Sequence, residues 1–124
     1  MNSHSNITGD TFELYNLRVE ISEKSGHIIG KHKIGDYFEV IGEDIFLPSG
    51  QGFSLYAISS ILPLLPAKQR QNHPNDFMET DDYIADPDAN SQAIYQIHRT
   101  GKTVFKHADV SANPVFHSTS PRSK

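Results

Sequence analysis

His27 and His32 bracket a glycine-rich turn, "SGHIIGKHKIGD", and two imidazoles placed this way can share a zinc ion. A closed structural zinc site wants about four ligands, so the others would have to come from elsewhere in the fold. The plainer reading is two histidines facing solvent in a turn. Asp81, Asp82, Asp86 and Asp88 form an acidic cluster of hard oxygen ligands suited to calcium or magnesium. Asp86, Asp88 and Asn90 begin like a calcium loop, but Ser91 stands where the loop needs glycine, and Ile97 where its glutamate belongs. Turn formation and helix capping explain the same residues. Lys68 and Arg70, with His73 after them, could grip a phosphate or a carboxylate. Arg99 and Lys102 allow the same two readings, anion grip or solvated turn. There is no phosphate loop, no GxSxG and no serine in a nucleophile setting.

The composition narrows the rest. The 124 residues carry a formal charge of -4 with a pI near 5.9, which argues against a nucleic-acid binder with a basic face. There are no cysteines, so disulfides, thiolate catalysis and thiolate zinc sites are excluded. No run approaches the roughly 20 apolar residues of a membrane span. The N-terminus "MNSHSNITGD" is polar and has no secretory pattern, which makes the cytoplasm the expected compartment.

The elements that would position these side chains follow from periodicity. In "ELYNLRVEISEK", Leu17, Val19 and Ile21 alternate with Arg18, Glu20 and Ser22, the pattern of a half-buried strand. "YFEVIGEDIFLP" predicts two more strands joined over Gly42-Glu43-Asp44. "GFSLYAISSILPLL" predicts one main helix, apolar on nearly all sides, with Pro63 and Pro66 ending it and turning the chain outward. Ala93, Tyr95 and Ile97 alternate as a strand, and Arg99-Thr100-Gly101-Lys102 reads as a hairpin turn into "TVFKH". The expectation is an α+β domain over residues 12–110, a small antiparallel sheet packed by one helix. Residues 1–11 read as a flexible arm and 111–124 as a flexible tail, interrupted by Val115 and Phe116.

The segment "LPLLPAKQRQNHPNDFMETDD" begins greasy, turns basic and ends acidic. Phe77 and Met78 stand in its polar part. They either close the core or anchor a partner, since aromatic residues and methionine favour interface centres. With Lys68, Arg70 and Asp76 at the rim, they make the candidate partner interface.

Three blocks, "GKHKIGDYFEV", "LPLLPAKQRQNHPNDFMETDDYIADPD" and "YQIHRTGK", resemble the small gamma-type subunits of hydantoinase-like, ATP-dependent ketone carboxylases, those of the acetophenone carboxylase type above all. The resemblance covers roughly residues 17–110. It implies an accessory subunit of a complex that phosphorylates the enol of a ketone, activates bicarbonate and joins the two into a 3-oxo acid. The large hydantoinase-like subunits would be its partners and would carry ATP and a divalent cation. This chain would hold no cofactor and no catalytic residue. Members of the family often have cysteines around the turn that is "ADPDANSQA" here, and acetone carboxylase gamma subunits are associated with zinc. Ala85, Asn90 and Ser91 stand there in this chain, so a thiolate site does not carry over. Two other readings compete: a free-standing ligand-binding module using the cleft between helix and sheet, and a small metal enzyme built on His27, His32 and nearby acids.

Overall fold

The alternation between Thr11 and Ile21 yields the central strand. A computed structural model describes residues 9–115. It contains strands β1 (Thr11–Ile21), β2 (Tyr37–Ile41), β3 (Asp44–Phe46), β4 (Tyr83–Ala85) and β5 (Ile94–Lys106). These form one antiparallel sheet in the order β3-β2-β1-β5-β4. Helix α1 (Leu55–Ile61), a 3-10 turn (Leu62–Leu64) and helix α2 (Leu65–Lys68) follow one another across one face. Two single-turn helices, α3 (Phe77–Thr80) and α4 (His107–Val110), complete the α+β fold. Most of the expected arm and most of the expected tail, Phe116 included, lie outside the described residues. Val115 is described and stands exposed.

Leu17, Val19 and Ile21 of β1, Phe38 and Val40 of β2, and Tyr95 and Ile97 of β5 point to one face. Ala57, Ile61 and Leu65 meet them from the helical layer. Phe38 is fully buried, worth about 2 to 3 kcal/mol in apolar transfer. Phe53 meets Phe38 edge-on, with ring centroids 5.0 Å apart, and leans on Tyr95 at 5.7 Å. The opposite face is polar: Arg18 lies over the Tyr37 ring, and the Glu20 carboxylate accepts from Arg18. The turn at Gly42 has φ +62, and Phe105 presses on the space a side chain would need there, so glycine is required on both counts.

Two expectations need correction. Arg99 to Lys102 is not a hairpin turn. The chain runs straight through as β5, with Gly101 opposite Asn16 and Lys106 opposite Thr11. A β-bulge between Asn16 and Leu17 absorbs the change of register, so the long partner strand holds Gly101 extended. Nor do the two prolines throw the chain outward. Each sits at the start of the next short helical segment, where its missing N–H would have had no partner, and the chain stays on the sheet. Among the described residues, no helix is long and apolar enough to cross a membrane.

Candidate functional site

The helical layer starts at Ser54, whose hydroxyl accepts from the Ala57 N–H at 3.2 Å. From there the inward positions recur as Ala57, Ile61, Leu65 and Lys68, one stripe at helical spacing. The outward side carries Leu55 (74% exposed), Tyr56 (75%) and Leu62. Beyond α2 the chain turns at Gln69. Its carbonyl accepts from the Tyr15 N–H at 2.7 Å, in line with the ladder β2 has left, and its side-chain amide donates to Gly42 O at 2.7 Å.

Lys68 is the residue whose place departs furthest from expectation. It is buried (3% exposed), and its Nζ lies 3.0 Å from Asp82 Oδ1, so it is not a rim charge. Burial of its stem on the apolar stripe explains this, with the ammonium reaching the half-exposed carboxylate. Lys68→Ala therefore lowers stability by about 2 kcal/mol, mostly through lost packing, whereas Lys68→Met stays within about 1 kcal/mol of the parent. Chemical denaturation of the free chain measures both; equal losses would assign the stabilisation to charge instead.

Arg99 holds this segment against the sheet. Its Nε donates to Lys68 O at 2.8 Å and one terminal nitrogen to Arg70 O at 2.8 Å. Its two terminal nitrogens reach the two Glu79 carboxylate oxygens at 2.8 and 2.7 Å, a bidentate pair. The guanidinium lies 4.2 Å from the centre of the Tyr15 ring. Glu79 also accepts from the Asn72 backbone and side chain at 2.9 and 3.1 Å. The hydrogen bonds from Arg99, outweighing the cost of burial, hold the Glu79 carboxyl down at about 2. The folded value lies below the ordinary 4.5, so this group contributes its full stability above about pH 4.5 and loses it as pH falls toward 2. Glu79→Gln should flatten the acid limb of the melting temperature between those values, with the pH 7 stability reduced. An unchanged acid limb would mean the pair is not formed in solution.

With the clamp in place, α3 is presented at the surface. Asp76 caps it, its Oδ1 accepting from the Met78 N–H at 2.8 Å. Phe77 is 65% exposed, so it does not close the core; Met78 is half-buried and Arg70 exposed. Phe77, Met78, Asp76 and Arg70 thus occur on one ordered segment, while Lys68 lies beneath it. His73 is exposed and its Nδ1 accepts from the Asn75 N–H. Lys102 lies 3.5 Å from Glu13 on the strand pair.

The remaining candidates are dispersed. His27 is exposed, while His32 is half-buried against Phe53, 3.9 Å from Asp36. Asp81 accepts from the Thr80 hydroxyl and Asp82 pairs with Lys68. Asp86 and Asp88 accept from the Asp88 and Asn90 backbone N–H groups, the turn chemistry the sequence suggests. Among the described residues no three histidine or acidic side chains form a group that could hold a metal ion. The cleft between the 3-10 turn, α2 and the sheet is a groove of about 550 Å³ walled by Phe12, Leu14, Val40, Leu62, Leu65 and Phe105. Glu79 is the structural residue that motif reading passes over: Arg99 is legible as an anion grip, and the carboxylate it grips belongs to the chain itself. Arg99 reaches Glu79 because, as part of β5, it shares the inward face with Tyr95 and Ile97.

No protein-family model, no curated protein and no solved structure matches this chain.

Proposed function

We propose that the chain is an accessory subunit of a cytoplasmic, ATP-dependent ketone carboxylase of the acetophenone carboxylase type, docking large hydantoinase-like subunits that carry ATP, a divalent cation and the substrates. The observation that supports this reading is the exposure of large apolar side chains on ordered helical elements: Leu55 and Tyr56 on α1 and Phe77 on α3. Such side chains in a domain of this size suit an interface centre better than solvent. The three sequence blocks that carry the family resemblance include α2, α3 and the Arg99 clamp. In this reading the chain contributes shape and contacts, and the acid, base and nucleotide chemistry belongs to its partners.

The test is co-expression with the large subunits of a ketone carboxylase. The expected result is co-elution at a fixed ratio, ketone- and bicarbonate-dependent ATP hydrolysis only in the complete complex, and self-association of the chain alone at high concentration. A monodisperse monomer that never co-elutes would overturn the proposal. A second reading, a ligand-binding module, is favoured by one observation, the apolar groove beside α2. It predicts saturable binding of an apolar ligand by the isolated chain, lost on Leu14→Trp.

A further inference from the structure

A second cavity, of about 320 Å³, lies at the other end of the helical layer and shares only Tyr56 with the docking surface. Three separate pieces of chain line it. The loop after β1 brings Ile28, Ile29 and His32; the start of α1 brings Ser54 and Tyr56; the loop between β4 and β5 brings Asp86, Asp88 and Ser91. Tyr95, from the buried face of β5, forms part of the wall.

The polar groups in it are held in fixed positions. The Tyr95 hydroxyl donates to Asp86 Oδ2 at 2.5 Å, and the other Asp86 oxygen accepts from the Asp88 N–H at 2.8 Å. Burial, and then the neighbouring Asp86, push the Tyr95 phenol well above its ordinary value, so it remains a donor. The Asp86 carboxylate is therefore oriented by two donors, and each oxygen keeps a further lone pair. Ser91 ties the loops together, its hydroxyl accepting from the Ile29 and Ala93 N–H groups. Gln92 does the same through the His27 N–H. A carboxylate immobilised this way needs no reorganisation to meet a positive group, which raises the free energy available to a ligand.

We infer that this cavity is a binding site for a small organic cation, a primary amine with a short apolar or aromatic body. Asp86 receives the ammonium, and Ile28, Ile29 and the exposed ring of Tyr56 cover the apolar body. An ammonium presents three donors and a positive charge to the two carboxylates in the wall, Asp86 and Asp88, whereas an anion would be repelled by both. The inference does not depend on the carboxylase reading.

The experiment is a titration of the full chain with phenethylamine, followed by backbone amide shifts, beside 3-phenylpropanoate as the matched anion and calcium chloride as a metal control. The expected result is saturable shifts at Ile29, Asp86, Asp88 and Ser91 with the amine alone. Asp86→Asn should weaken binding about tenfold or more. Tyr95→Phe keeps the buried ring and removes only the hydroxyl, so it should weaken binding severalfold with the fold intact. It carries the test if Asp86→Asn fails to fold. No saturable shift with the amine, an equal response to the anion, tighter binding of calcium at the same residues, or undiminished affinity in Tyr95→Phe would each overturn the assignment.

Discussion

Replacing Arg99 with alanine should lower the stability of the free chain by about 3 kcal/mol, seen as a melting temperature about 15 °C lower. The substitution removes more than one contact. It breaks the bidentate pair with Glu79, leaves the Lys68 and Arg70 carbonyls without that donor, and uncovers the face of Tyr15. Each partner sits where solvent only partly replaces what is lost, the side chains of Arg99 and Glu79 being 23% and 19% exposed. Arg99→Lys should recover little, because a single ammonium cannot span two carboxylate oxygens and two carbonyls together. A double-mutant cycle with Glu79→Gln isolates the pair, for which a coupling of about 1 to 3 kcal/mol is expected. Thermal melts by far-ultraviolet circular dichroism suffice. If Arg99→Ala melts within a few degrees of the parent, the clamp is a contact without energetic weight.

Phe77→Ala should have its large effect elsewhere. The ring is mostly exposed on α3, so the free chain should melt close to the parent. In the proposed complex, truncating an aromatic anchor commonly costs about 2 kcal/mol or more, which is roughly thirtyfold in affinity. Arg70→Ala, at the rim, should change assembly little at moderate salt. Pull-down against the large subunits, paired with a melt of the free chain, reads both. A Phe77→Ala chain that still assembles at full affinity removes this residue from the interface and leaves Leu55 and Tyr56 as the next candidates.

Periodicity in the sequence carried much of the architecture. Leu17, Val19 and Ile21 announced β1, the Gly42 turn announced the β2–β3 hairpin, and "GFSLYAISSILPLL" announced the helix, though its apolar residues on nearly all sides did not single out the inward stripe of Ala57, Ile61 and Leu65. What failed did so for long-range reasons. Nothing local distinguishes Arg99 to Lys102 as strand, because the extended form is imposed by β1 across the sheet. The prolines were read as breakers, yet both stand where a helical segment may begin. Lys68 was read by its charge; its phase in the helix, three residues after Leu65, was the better guide to burial. The Arg99–Glu79 pair joins residues on different elements, and no spacing rule links them. The Tyr95–Asp86 contact is equally illegible, although Asp86 was correctly placed in a turn.

The central pairing of the sheet joins the two ends of the domain, Thr11 against Lys106 and Ile21 against Tyr95. Synthesis therefore produces the middle strand first and its longest neighbour last. At about 5 to 20 residues per second, β1 waits roughly 5 to 20 seconds before β5 leaves the ribosome. During that interval only the β2 side of β1 can be satisfied, and its other edge is open to foreign strands. Closing so long a loop also makes the folding barrier largely entropic, so refolding should be slow for a chain of this length. The clamp at Arg99 lies on that last strand. The segment carrying Phe77 consequently cannot be fixed in place until β5 has been made, so a partner that reads this segment meets it fully positioned only after β5 has joined the sheet.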